Sequence, residues 1–175
     1  CSSDLHDIGR KEQFENPALC HAAVGGDKAF GFLLENGWTK ERAGRVKEAI
    51  AAHRFRSDKP PVSAEARIVF DADKLDVTGA IGIARTLLYA GETGCPLYTK
   101  NSDGTVDDGS GDGEDCFFRE YKRKLETLYD RFFTRRGAEL AAGRKAAAEA
   151  FYTSMRKETE ETYRLGKEWM EKLAE

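Results

Sequence analysis

The stretch RIVFDADKLDVTGAIGIA, residues 67–84, sets three carboxylates into an otherwise apolar run. Its content of Ile, Val, Ala and Leu predicts one long buried helix, capped by Ser63, running to about Tyr89 and ended by Gly91. An ionised carboxylate costs several kcal/mol to bury unless it is paired or bound to a cation. A fold that buries this helix must therefore bring positive charge to it. Asp73 and Asp76 are three residues apart and share a helix face, whereas Asp71 points elsewhere. Lys74 and Arg85 supply cationic charge nearby, suited equally to a phosphate or to neutralising the aspartates.

The rest of the chain also reads as helix. His21 to Glu35 carries Val24, Ala29, Phe32 and Leu33 on one side and stops at Gly37. Thr39 is a good N-cap for a helix to about His53, with Val46, Ala49 and Ile50 turned inward. Pro60 and Pro61 close a loop that starts at Arg56. An amphipathic helix is expected from about Cys116 to Arg135, with Phe117, Tyr121, Leu125, Leu128 and Phe132 at helical spacing. A last helix runs from Arg136 to the end, its final part charged and solvated. The expected fold class is all-α.

Between Gly94 and Asp115 the chain turns Gly-, Asp- and Ser-rich and reads as a flexible surface loop. Its acids do not follow the ligand order of an EF-hand. A net charge of −3 over 175 residues gives no basic field for generic nucleic-acid binding. No apolar run approaches the roughly 18 residues that span a membrane. Cys1, Cys20, Cys95 and Cys116 have neither CxxC spacing nor the density of a disulfide framework, which points to reduced thiols and a cytoplasmic setting.

The chain has three histidines, His6, His21 and His53, each near the end of a predicted helix. Imidazole and carboxylate together form a mixed N/O donor set for a divalent ion. Taken singly, each histidine has a bland structural reading. In combination with Asp7 and the Asp71–Asp76 cluster they point to a metal site.

In this order, HDIGR, HAAVGG, AIAAHRFR and ARIVFDADKLDVTGAIGIARTL resemble the HD-domain superfamily of metal-dependent phosphohydrolases, in its small stand-alone bacterial branch. The likeness extends more weakly into TRRGAELAAGRKAAAEAF. It implies an HD-domain helical bundle and a metal held by His6, Asp7 and Asp73. It also matches His21 and His53 to the extra histidines of members with two metals, leaving open one ion or two. The family pattern begins with a histidine on an earlier helix, which this chain does not contain. Residues 1–5, CSSDL, resemble a translated adapter sequence, so they are expected to be a non-native leader on a bundle truncated at its N-terminus. A genuine deletion is the other reading. The expected organisation is the leader 1–5, an incomplete core 6–93, the acidic loop 94–115 and C-terminal helices 116–175.

The function this implies is hydrolysis of a phosphoester or phosphoanhydride by a metal-activated water, on a small phosphorylated substrate that the resemblance makes a nucleotide. Manganese, magnesium, iron and cobalt all suit the donors. Asp7, Arg10 and Lys74 are the expected catalytic groups, and Arg54, Arg85 and Asp76 the expected substrate contacts. No phosphate-cradling GxxxxGK[ST] loop is present. The competing reading is a non-catalytic HD module that binds nucleotide or a protein partner.

Overall fold

The computed structural model describes residues 5–54 and 60–174. Four residues of the expected leader and the first part of the Pro-Pro loop lie outside the described residues. The helices are α1 (Arg10–Glu15), α2 (His21–Glu35), α3 (Lys40–Ala51), α4 (Ala64–Leu75), α5 (Gly79–Thr93), α6 (Phe117–Glu120) and α7 (Arg135–Ala174). A π turn (Tyr121–Leu125) and a 3-10 turn (Leu128–Asp130) follow α6. Among the described residues there is no strand, only an isolated bridge between Lys100 and Val106. The fold is all-α.

Local chemistry sets the helix starts. Thr39 Oγ1 accepts from the Arg42 N–H at 3.4 Å, and Ser63 Oγ accepts from the Ala66 N–H at 3.1 Å. The single helix expected from Ser63 to Tyr89 is instead two, α4 and α5. After Leu75 the chain tightens: the Thr78 N–H and its hydroxyl both donate to the Leu75 carbonyl, at 3.2 and 2.7 Å. Gly79 then adopts φ +65, a left-handed conformation that favours glycine. A Cβ there would come within 2.9 Å of the Arg144 Cβ. Helix α5 passes through Gly91 and ends at Gly94, also left-handed at φ +70.

The helix expected from Cys116 to Arg135 is likewise replaced by α6 and the two irregular turns. The Glu126 N–H reaches back to the Tyr121 carbonyl at 2.8 Å, a five-residue step. This winding keeps Tyr121 and Leu125 both buried.

The chain forms two compact units. The first comprises residues 1–74 and 132–137. Its core is Ala22, Ala29 and Leu33 of α2, Ala43, Ala49 and Ile50 of α3, and Ala66, Val69 and Phe70 of α4. Each large apolar side chain buried here contributes about 1.5–3 kcal/mol. Asp71 is buried in the same unit. Its Oδ1 accepts from the Phe133 N–H at 2.9 Å, and its Oδ2 from the Thr134 N–H and hydroxyl at 2.7 and 2.6 Å. This carboxylate is satisfied by protein donors and ties residues 133–134 to α4.

The second unit comprises residues 75–131 and 138–175. Ile83, Cys116, Phe117, Phe118, Tyr121, Leu125, Ala148 and Tyr152 form its core, with Tyr121 and Tyr152 stacked at 4.0 Å. The Tyr152 hydroxyl donates to the Asp108 carbonyl at 2.6 Å. Within the loop 94–115 the Asp107 N–H donates to the Thr99 carbonyl at 2.9 Å and the Gly109 N–H to Asp107 Oδ1 at 2.8 Å. Buried Arg119 donates to the Gly113 carbonyl at 2.5 Å and to Asp107 Oδ2 at 3.2 Å.

Candidate metal centre

The segment ahead of α1 is a tight turn in which Ile8 and Arg10 N–H groups return to the Leu5 and Asp7 carbonyls at 3.2 and 2.9 Å. Gly9 lets this turn lie directly on the start of α2. A Cβ on Gly9 would overlap the His21 carbonyl and come within 2.7 Å of the Gly25 nitrogen. The missing side chain is what brings His6 and Asp7 beside His21. Lys28 holds α1 against α2, donating to the Ile8 carbonyl at 3.2 Å and to Glu12 Oε1 at 2.5 Å.

Three donor atoms converge. Asp7 Oδ1 lies 3.7 Å from His21 Nε2 and 3.6 Å from His53 Nε2, and the two Nε2 atoms are 3.2 Å apart. His21 starts α2 and His53 follows α3, and both are buried. On its other face, Asp7 Oδ2 lies 3.6 Å from His6 Nε2, which in turn is 3.8 Å from Asp73 Oδ1 on α4. The two oxygens of Asp7 are thus divided between two donor sets, His21 with His53 and His6 with Asp73.

The hydrogen bonds on the far side of the rings make this a lone-pair cluster. His53 Nδ1 is 2.6 Å from the Ile50 carbonyl, which can only accept, so the proton of the neutral ring is on Nδ1. His21 Nδ1 is 2.8 Å from Gln13 Oε1, which places its proton there too. The two Nε2 lone pairs then face each other and a carboxylate. Ligand atoms about 2.1 Å from one ion in tetrahedral or octahedral geometry stand about 3.0–3.4 Å apart. The 3.2 Å between the imidazole nitrogens meets that spacing, and Asp7 Oδ1, at 3.6 and 3.7 Å, needs to close by a few tenths of an ångström for the three to share a divalent ion.

Electrostatics agree. Burial alone would raise the Asp7 carboxyl. The charge and hydrogen bond of Arg10 help to outweigh it and hold Asp7 well below the usual carboxylate range. Burial, reinforced by the Arg10 charge and by His53, pushes His21 down to about 4. Asp7 is therefore anionic and His21 neutral at pH 7, the protonation states that metal ligation requires.

Arg10 Nε donates to Asp7 Oδ1 at 2.9 Å, and Arg10 is more than half exposed. Arg54 lies close enough to influence both Cys20 and His21. Lys74 is buried, its ammonium engaged by Asp73 and 5.3 Å from the Phe70 ring centre. Asp76 falls just beyond the end of α4 rather than on its face. It pairs with Arg85 at 2.5 Å, both side chains well exposed, in the second unit. Sequence reasoning missed Gln13, since a lone glutamine six residues after Asp7 carries no periodic or motif signal.

The model of the HD domain matches residues 4–78. The chain is 37% identical over 116 residues to YpgQ of Bacillus subtilis, an alignment that takes in 64% of this chain and spans 50% of that protein's length. The crystal structure of YpgQ matches with a TM-score of 0.60 and 28% identity, covering 90% of this chain and 84% of that one. YpgQ in complex with ADP matches at 0.59 and 26%, covering 90% and 82%. A predicted HD superfamily hydrolase from an uncultured Thermotogales bacterium shares the fold at a TM-score of 0.55 and 24% identity, covering 90% and 64%. Among the described residues no helix is long and apolar enough to cross a membrane. The His6–Asp7 turn, its partner histidines and Asp73 all lie inside the span, residues 4–78, that matches the HD domain.

Proposed function

We propose that this chain is a metal-dependent phosphohydrolase that cleaves a phosphoester or phosphoanhydride of a nucleotide. The observation that carries the reading is the division of the Asp7 carboxylate between His21 with His53 on one oxygen and His6 with Asp73 on the other. One ion would take Asp7, His21 and His53, and a second would take Asp7, His6 and Asp73. Manganese, magnesium, iron and cobalt suit such donors. When bound, a divalent ion supplies Lewis-acid polarisation of a phosphoryl oxygen and a lowered pKa for water.

The chain's own groups then have separable roles. Asp7 stays ionised beside Arg10 and His53 and cannot serve as a proton donor near neutrality. Arg10 anchors Asp7 through Nε, and its outer guanidinium donors are assigned to phosphoryl oxygens. Arg54, beside His21, adds positive charge on the same side. Lys74 offsets the charge of Asp73 from within the core. Asp76 and Arg85 have each other as partners and take no part in the chemistry. The similarity to YpgQ, solved with ADP, supports a nucleotide as substrate. We assign a cytoplasmic setting on the cysteine spacing.

The test measures metal content and manganese-dependent phosphate release from nucleoside di- and triphosphates, for the wild-type chain and for Asp7→Asn and His53→Ala. Turnover that needs added metal and disappears in both variants supports a hydrolase. Bound metal and bound ADP without turnover would leave the non-catalytic HD module as the better reading.

A further inference from the structure

His53 and His21 are held in different ways. His53 Nδ1 donates to the Ile50 carbonyl of its own helix end at 2.6 Å, a backbone partner that no substitution removes. His21 Nδ1 meets a side chain, Gln13 Oε1, at 2.8 Å. Gln13 sits on α1, six residues from Asp7, and α1 is pinned to α2 by Lys28 through Glu12 and the Ile8 carbonyl.

A neutral imidazole carries one proton. If it sits on Nδ1, the Nε2 lone pair faces Asp7 and His53. If it sits on Nε2, the ring turns a donor toward His53 Nε2 at 3.2 Å and cannot ligate an ion through that atom. An acceptor facing Nδ1 selects the first state. The Gln13 amide oxygen is that acceptor.

We propose that Gln13 is a positioning residue of the metal centre, its amide oxygen holding His21 in the Nδ1–H tautomer so that Nε2 is presented to an ion. The inference rests on the metal reading of the site above. It assigns to α1, otherwise a short connector, control over one ligand of the centre. A partner of this kind typically changes metal affinity by about 10–100-fold when removed.

Zn2+ serves as the probe because it is diamagnetic. Binding is measured by calorimetry on the full chain, alongside nitrogen-resolved NMR of labelled histidine in the Zn2+-loaded protein. The variants are Gln13→Met, which keeps length and loses the acceptor, Gln13→Glu, which keeps an acceptor, and His21→Ala. The Zn2+ dissociation constant is expected to rise about 10–100-fold in Gln13→Met and to stay at or below the wild-type value in Gln13→Glu. The His21 Nδ1–H resonance is expected to be protected from solvent exchange in wild type and Gln13→Glu, and to lose that protection in Gln13→Met. Gln13→Met binding as tightly as wild type, or Gln13→Glu binding as poorly as Gln13→Met, would overturn the role of Gln13. Failure of wild type itself to take up Zn2+ would overturn the metal reading, and the role of Gln13 with it. Circular dichroism of each apo variant identifies any that fails to fold. Should Gln13→Met fail to fold, Gln13→Leu takes its place under the same criteria.

Discussion

His21 Nε2 and His53 Nε2 face each other across 3.2 Å with both of their Nδ1 atoms committed to oxygen acceptors. Two lone pairs so placed repel unless a cation lies between them and the Asp7 carboxylate. Divalent metal should therefore stabilise the fold. At free metal 100 times the dissociation constant the gain is about 2.7 kcal/mol. Thermal melts with and without chelator check this: the midpoint should fall on chelation in wild type and stay put in Asp7→Asn.

Gly9 supplies the close approach that brings the His-Asp turn onto α2. Gly9→Ala inserts a methyl group against the His21 carbonyl and the Gly25 nitrogen. Overpacking of this kind costs about 1–3 kcal/mol. Chemical denaturation should show that loss, and metal titration should show weaker binding, because Asp7 and His21 are pushed apart.

Asp71 and Asp73 lie two residues apart and should separate cleanly in experiment. Asp71→Ala strands the Phe133 and Thr134 N–H groups and the Thr134 hydroxyl. The expected cost is about 1–3 kcal/mol of stability, from part-buried donors left without an acceptor. Asp73→Asn, which keeps an oxygen acceptor for buried Lys74, should cost less stability than Asp71→Ala and abolish uptake at the His6 side. Urea denaturation paired with metal stoichiometry for both variants decides it.

The Tyr121–Tyr152 stack predicts a loss of stability in alkali. Burial, with Asp108 nearby, pushes Tyr152 up to about 12, and burial raises Tyr121 as well. In the unfolded chain both titrate at about 10. The folded state thus holds its phenol protons more tightly. The stability this contributes is complete below pH 10 and is lost as the pH rises from about 10 to 12. Denaturant midpoints measured from pH 9 to 12 should fall over that window, and fall less steeply in Tyr152→Phe.

Much of this was legible in the residues. The starts of α2 and α3 follow from His21 and from the Thr39 cap, and the separate orientation of Asp71 follows from helix geometry. The break at Thr78 was not legible, because apolar content on both sides continues the helical pattern. Only the left-handed Gly79, packed on Arg144 from far along the chain, reveals it. The π winding after α6 is hidden for a similar reason: its apolar spacing is that of an ordinary helix, and only the Glu126–Tyr121 bond distinguishes it. At the site, the motif residues pointed to a metal centre. The shared use of Asp7 and the hold of Gln13 on His21 depend on a turn-to-helix contact that spacing does not encode.

The buried guanidinium of Arg119 reaches the Gly113 carbonyl and the Asp107 carboxylate at once. These two anchors divide the acidic segment into parts with unequal freedom to vary. The span between them has a fixed length, because one rigid side chain measures it. The turn at Asn101–Thr105, which closes on its own hydrogen bonds, has no such gauge. Related chains should gain and lose residues at that tip while keeping the Asp107-to-Gly113 interval and an arginine, not a lysine, beneath it.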